Sequence, residues 1–465
     1  MHPGCGVRAG VANESMPANS HAPKPGACRA PAGMYAAQAA REYLICIYST
    51  AAQPETMNFL TACSNIFFQH GERPHVFVEH GRGPYANTRA ALAHFNLATV
   101  RGKKVLLKPN AGRAAAPGEG ITTDPGVVAA AIDAFQAAGA TVAVGESPIT
   151  GVKAYAALEE TGIAAAARAR GCALIDLDAR PPVVRAIPGA RALAAIKICA
   201  EVLEYDVVVS LPVMKMHMHT GVTLSVKNMK GCLWRRSKVD LHMLPAAAGS
   251  TEKPLNIAIA DLSGVLRPHL AVIDGTVGME GMGPSAGTPK ALDVVVAGAD
   301  PFAADAVACA LMGVAADQVA HLSLGAERGY GVIDLDTIEV VPGNWRDRAS
   351  AFEPAPANID IEFPGIEILD RNSCSACQST LLLFLKQYGS AILDYFPAGS
   401  TLSIAIGSGH VQLADGTICL GNCTAVHRGA HCFVAGCPPV GSEILKAITG
   451  RTSLDSSKVN TTVKE

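Results

Sequence analysis

The sequence predicts an α/β protein: a large, mostly parallel-sheet domain followed by a smaller C-terminal α/β domain that carries a cysteine cluster. Three observations lead there. Short β-branched runs alternate with Ala-rich helical stretches from about Pro74 to Val341. These runs are apolar on both faces, as strands buried between helical layers must be. Six of the 14 cysteines crowd between Cys374 and Cys437, after a Pro/Ala-rich stretch, "DRASAFEPAPAN", that marks a boundary.

The elements follow in order. "HVFVEHG" reads as a strand. "KKVLLKPN" is a buried strand ending in a polar loop. In "DPGVVAAAIDAFQAAGA", Asp124 suits the N-cap, Pro125 the first turn and Gly139 the C-terminal end of a helix. "TVAVGESP", "YDVVVSLPVMK" and "HLAVIDGTVG" are further strands, and "DVVVAGADPFAADAVACALMGV" is strand, loop and helix. In the second domain "IDIEF" is a strand, and "CSACQSTLLLFLKQYGSAIL" a helix with Cys374 and Cys377 at its start. "STLSIAIGSG" and "GTICLGNCT" are strands running into loops. "HCFVAGCPPVGSEILKAI" is a strand, a proline corner and a helix. The expected division is a disordered extension over 1–56, a substrate domain over 57–345, an iron–sulfur domain over 346–450 and a flexible tail over 451–465. Met57 is a candidate start, because the first 56 residues show no apolar period.

Composition narrows the function. Hydrophobic residues make up 49% and charged residues 17%, a balance suited to a compact cytoplasmic enzyme. A formal net charge of −2 argues against general nucleic-acid binding. No apolar run reaches the roughly 18 residues of a spanning helix, so no membrane partner is expected. The cysteine pattern is that of reduced cytosolic thiols plus one local site, not of a secreted disulfide scaffold. Oligomeric state is not legible.

Polar residues gather just after strands: Lys108 and Asn110; Glu146 and Ser147; Lys215, His217 and His219; Asp274 and Thr276; and Asp300. In open parallel sheets ligands bind at the carboxyl ends of the strands, so all five sets are expected on one edge. The densest stretch, "LPVMKMHMHTGVTLSVKNMKG", holds Lys215, His217, His219, Lys227, Asn228 and Lys230 within sixteen residues. The two histidines, two apart, would point the same way on an extended chain and could bind metal or share a proton. Three lysines with no carboxylate nearby repel a cation and attract an anion, which favours a phosphate- or carboxylate-bearing substrate. A solvated basic loop is the plainer reading. "DGTVGMEGMGPSAGTP" is neither a Walker loop nor a dinucleotide fingerprint. Glu280 stands alone there as a candidate acid/base, though a lone glutamate is more often a loop residue. Catalytic candidates are therefore Lys215, His217, His219 and Glu280, and substrate-binding candidates are Lys108, Asn110, Lys227, Asn228 and Lys230.

Cys437 lies between a glycine and two prolines, which hold the chain in a rigid corner. Cys374 and Cys377 lie at a helix N-terminus, which favours thiolates, and Cys423 sits in a glycine-flanked loop. These four are the expected ligands of a 4Fe–4S cluster. Zinc, with Cys419 and Cys423 as a second pair, is the alternative, and redox-active thiols a third. Cys419 and Cys432 read as ordinary buried cysteines.

With "LLKPN", "TDPGVV", "LPVMKMHMHTGVTLSVKNMKG", "DGTVGMEGMGPSAGTP" and "ADPFAADAVACALMG" in view, the chain resembles the domain-of-unknown-function 362 family from about Val76 to Val314. The C-terminal "CSAC…GNC…GCPP" is similar to the iron–sulfur module that accompanies some members. The resemblance implies an iron–sulfur protein without an assigned reaction. A fainter similarity to the lactate racemase family, α/β enzymes that use a nickel pincer cofactor, assigns no residues. The functional expectation is an oxidoreductase or lyase acting on a small anionic substrate, with a ferredoxin-type redox partner. The alternatives are a ferredoxin-like carrier without a substrate and a zinc-stabilised module.

Overall fold

In the computed structural model the described residues are 65–67, 73–244, 252–354, 362–373, 375–436, 438–451 and 453–454. The expected N-terminal extension, Cys374, Cys437 and most of the expected tail lie outside them.

The first strands and helices are β1 (His75–His80), α1 (Gly83–Ala93), β2 (Lys104–Pro109), α2 (Pro125–Ala137), β3 (Thr141–Glu146), α3 (Ala154–Glu160), α4 (Ile163–Arg168) and β4 (Ala173–Asp176). A small hairpin follows, β5 (Val183–Ala186) and β6 (Ala195–Ile198). Then come β7 (Val207–Leu211), β8 (Val213–His217), β9 (Gly221–Thr223), α5 (Ser225–Asn228), α6 (Ser237–Asp240) and α7 (Pro254–Ser263). The long pair β10 (Leu270–Glu280) and β11 (Thr288–Gly298) leads into α8 (Pro301–Leu311), α9 (Ala320–Glu327) and β12 (Glu339–Val341).

Ten of these strands form one sheet, ordered β12-β1-β11-β10-β7-β2-β3-β4, with β8 and β9 attached beside β10. The run β10-β7-β2-β3-β4 is parallel throughout, and β11 runs antiparallel to both of its neighbours. Successive strand residues feed opposite cores. Leu106, Val208, Ile273 and Val296 face one layer with α7 and α8, and Val105, Leu107, Val207, Val209 and Val272 face the other with α2. Full burial of each such side chain is worth about 1.5–3 kcal/mol, which explains why these strands carry no polar face. The first helix end was legible: Asp124 caps α2 by accepting from the Gly126 amide, with Pro125 in the first turn.

The second sheet is β13 (Ile366–Asp370), β14 (Leu402–Ile406), β15 (Ile418–Leu420) and β16 (Cys432–Val434), all parallel and in sequence order. Helices α10 (Ser375–Tyr388) and α11 (Gly441–Thr449) cover it, with Leu381, Phe384, Leu385, Ile444 and Leu445 closing its core. Residues 359–361 of the expected strand "IDIEF" lie outside the described residues, and the first strand here is Ile366–Asp370. Both sheets fall within one compact unit, Asn58–Glu465. Two ties join them. Lys386 of α10 donates to the Ala286 carbonyl at 2.5 Å, and Phe352 of the connecting chain is buried in the large core. Among the described residues no helix is long and apolar enough to cross a membrane.

Candidate functional site

The site is built where β2, β3, β7 and β8 end. Strand β2 delivers Lys108, only 1% exposed, and β3 delivers Glu146, 2% exposed. Their side chains meet at 2.8 Å. A buried carboxylate needs all its lone pairs served. Glu146 also accepts from the Ala111 amide at 2.8 Å and the Ser147 amide at 2.9 Å. Lys108 donates further to the Pro109 carbonyl and to Asn228 Oδ1. Asn228, from α5, returns its amide to the Lys108 carbonyl and Ser210 Oγ, each at 3.1 Å. Gly231 lies on this pair: a Cβ there would stand 2.6 Å from Lys108 Nζ and 2.7 Å from Glu146 Oε1. The site therefore requires glycine at that position.

Around this neutralised pair stands a group of basic side chains with no ion-paired carboxylate of their own among the described residues. Lys215 donates to the Ile121 carbonyl at 2.7 Å and to Asn110 Oδ1 at 3.3 Å. Burial, together with the nearby Arg113 guanidinium, pushes its amine down to about 7. Lys227 donates to Thr223 Oγ1 at 3.0 Å, and burial with Lys230 and Lys215 beside it holds its amine well below the usual lysine value. Lys230 meets His242 Nε2, and burial with Lys238 nearby pushes its amine down to about 7. His217 Nδ1 accepts from the His219 amide, and the two rings lie 5.8 Å apart at 66°. Burial, with Lys227 close by, keeps the His217 imidazole neutral. Lysines forced toward neutrality by burial, and further by one another, form a place for negative charge from outside. Lys227, Lys230 and Arg113 are half-buried, whereas Lys215 is fully enclosed. Lys215, His217, His219 and Asn228 are buried, so this stretch is enclosed rather than solvated along its length.

Most sequence-derived candidates converge here: Lys108, Asn110, Lys215, His217, His219, Lys227, Asn228 and Lys230. His217 and His219 do not project from one continuous strand, because β8 ends at His217 and the chain turns. Asp274 joins from β10, accepting from the Asp124 amide at 2.7 Å and the Thr276 amide at 2.9 Å, and burial raises its carboxyl to about 6. Glu280 stands apart: Lys290 at 2.8 Å and the Glu353 amide at 3.1 Å hold it, and these contacts keep its carboxyl below the usual range.

Asp300 corrects the expectation of five sets on one edge. Strand β11 is antiparallel, so its end lies at the opposite edge, and Asp300 there caps α8 and pairs with Arg267 at 3.4 Å. Sequence reasoning missed Arg113, Lys238 and His242. Lys238 reaches back to the Ser147 hydroxyl and donates to the Leu233 carbonyl at 2.8 Å. The signal was proximity: all three follow named site residues by no more than about a dozen positions.

The second candidate site lies at the carboxyl edge of the small sheet. Cys377 sits in the first turn of α10 and Cys423 in the loop after β15. Three close approaches join these segments. A Cβ on Gly421 would stand 3.0 Å from Cys377 Sγ, 3.7 Å from the Gly436 carbonyl oxygen and 3.8 Å from Pro439 Cδ. The Asn422 amide donates to the Gly436 carbonyl at 2.8 Å, and Asn422 Oδ1 accepts from the Gly436 amide at 3.0 Å. The chain flanking position 437 thus meets the chain bearing Cys423. Among the described residues, which include only Cys377 and Cys423 of the expected four, no group of three His, Cys, Asp or Glu is arranged to hold a metal ion. Cys419 is buried as expected, but Cys432 is exposed, because β16 is the sheet's edge strand.

Comparison with known proteins adds context. The thylakoid-associated protein sll1697 of Synechocystis sp. is 30% identical over 206 residues, 44% of this chain. The match spans 62% of that protein's length. The lactate racemase apoprotein from Thermoanaerobacterium thermosaccharolyticum aligns at 12% identity with a TM-score of 0.34, covering 72% of this chain and 69% of that one. Residues 105–310, which span β2 to α8 and hold every residue of the cationic site, match the family model described as domain of unknown function (DUF362).

Proposed function

We propose that the protein is an enzyme that binds a small anionic substrate in the cationic cleft and carries an iron–sulfur cluster in its C-terminal module. The observation that carries the first half is the grouping of Arg113, Lys215, Lys227 and Lys230 around a Lys108–Glu146 pair that is already neutral. A bound phosphate or carboxylate would restore the charge of amines that burial has pushed toward neutrality. A pure electron carrier needs no such cleft.

The second half rests on the thiol edge. Cys377 in the first turn of a helix, Cys423, and the chain flanking Cys437 are brought together by glycines that leave room for sulfur. Cys374, Cys377, Cys423 and Cys437 would hold a 4Fe–4S cluster, and such a cluster supplies one-electron transfer when bound. A ferredoxin-type partner and a cytoplasmic, reducing location go with this reading.

Two measurements on the full chain test it. Anaerobically purified protein is expected to contain iron and sulfide and to absorb broadly near about 400 nm. Zinc without sulfide would replace the cluster with a structural metal site. Phosphate or malonate is expected to raise the melting temperature in a saturable way. If neither does, the cleft is not an anion site.

A further inference from the structure

We propose that Lys230 is a Schiff-base nucleophile, with His242 as its proton acceptor, acting on a small 2-oxo acid. This deepens the anionic-substrate reading and rests on it.

The lysines of the cleft differ in what holds them. Lys108 is committed to Glu146, and Lys238 to the Leu233 carbonyl and to Asp178 at 3.6 Å. Lys215 is held by a carbonyl and an amide oxygen, and Lys227 by a threonine hydroxyl. Among the described residues, Lys230 Nζ has one hydrogen-bond partner, His242 Nε2 at 2.5 Å. An amine set against an imidazole, with no carboxylate or carbonyl among the described residues to anchor it as ammonium, is placed to lose a proton rather than to form an ion pair. Its burial beside Lys238 lowers its basicity to about 7, so the free amine is well populated at neutral pH. Burial likewise holds the His242 ring neutral and able to accept. Lys230 is partly accessible, whereas Lys215 is buried.

Lys227 defines the substrate class. It lies three residues before Lys230, where α5 passes into the 3₁₀ turn Met229–Cys232, and residues three apart share a face there. The nucleophile therefore has a second amine beside it on the same face, itself pushed well below the usual lysine value by burial, which an arriving carboxylate would restore to its charged form. A molecule whose electrophilic carbon is bonded directly to a carboxylate carbon matches that short spacing. The backbone beneath cannot shift, because Gly231 is wedged against Lys108 and Glu146.

The step balances without a redox partner. Nζ attacks the carbonyl carbon and its proton passes to His242 Nε2, solvent protonates the resulting oxyanion to give a carbinolamine, and His242 then returns its proton to the hydroxyl. The hydroxyl then leaves as water and a protonated C=N bond remains. That cation draws electrons from the neighbouring C–C or C–H bond, which is lyase chemistry.

The test is borohydride trapping on the full-length protein with pyruvate as probe, followed by peptide mass mapping. The expected product carries the mass of the oxo acid less one oxygen atom on Lys230. Trapping should rise with pH through about 7. It should be blocked by excess phosphate and fall to background in Lys230→Arg. Replacing the exposed Lys153 by arginine should change nothing. His242→Asn should slow trapping by roughly a hundredfold while the phosphate melting shift persists. Wild-type mapping stands alone if a variant fails to fold. An adduct on Lys215 or Lys227, adducts scattered over exposed lysines, or none at all would overturn the assignment. If phosphate still shifts the melting curve in that case, only the Schiff base falls. If phosphate does nothing, the anion cleft falls with it.

Discussion

The carboxyl edges of the two sheets solve different problems. The large sheet takes lysines and a glutamate out of water, and each must be met by another side chain: Lys108 by Glu146 and Asn228, Lys215 by Asn110 and a carbonyl. The small sheet gathers thiols by clearing space. Gly421 at φ +88 and Gly436 at φ +143 let backbones approach where any Cβ would intrude. One edge is held by charge pairing, so it fails when a partner is removed. The other is held by missing atoms, so it fails when one is added.

The largest expected effect follows from that contrast. Lys108→Ala leaves the buried Glu146 carboxyl without its lysine partner, and should destabilise the fold by about 3–5 kcal/mol in denaturant unfolding. A loss under about 1 kcal/mol would mean that water reaches Glu146. Lys227→Ala should weaken phosphate binding about ten- to a hundredfold, the equivalent of about 1.5–3 kcal/mol, and leave iron content untouched. Parallel loss of iron would show that the two edges are not independent. Gly421→Ala should do the reverse. Strain of roughly 1–3 kcal/mol at a positive φ, with a methyl against Cys377 Sγ, should lower iron content while the phosphate shift survives.

pH separates the edges as well. Lys215 and Lys230 have folded-state values near 7, below the unfolded value of 10.5. The folded protein binds fewer protons than the unfolded chain between these limits, so their contribution to stability rises with pH from about 7 to 10.5. Asp274, raised from 3.8 to about 6, and Asp305 of α8, which accepts from the Ser225 and Val226 amides and is raised from 3.8 to about 7, act oppositely: their contribution falls as pH rises from 3.8 to their folded-state values. Together these four groups make a stability minimum near neutrality in the ligand-free protein. Saturating phosphate should shallow it by keeping the lysines charged, and melting curves across pH with and without phosphate measure this. The smallest effect belongs to Glu280→Gln. A part-exposed pair with Lys290 is worth about 0–1 kcal/mol, so stability should barely move. A large loss of turnover in that variant would return Glu280 to the catalytic set.

The helix at Pro125–Ala137 was legible because its cap, proline and terminal glycine all lie within a few residues. The convergence of Lys108, Glu146 and Lys215 was legible because parallel strands put their carboxyl ends together. The Lys108–Glu146 contact itself was not, since it joins residues 38 apart through strand register. Asp300 was misplaced although the signal existed: a glycine-rich connection of seven residues between β10 and β11 is too short for a parallel crossover, which fixes β11 as antiparallel. Cys432 was misjudged because edge position depends on the number and order of strands, which no local run of residues encodes.

The β10–β11 connection also sets an order of events during synthesis. Its Gly283 carbonyl accepts from the Met218 amide beside the histidines, and a Cβ on Gly283 would stand 1.9 Å from the Met216 carbonyl. Its Ala286 carbonyl is held by Lys386 from the second sheet's first helix. That helix leaves the ribosome about a hundred residues later. The connection that meets Met216 and Met218 beside the histidines is therefore braced by Lys386 only once the C-terminal module has been made.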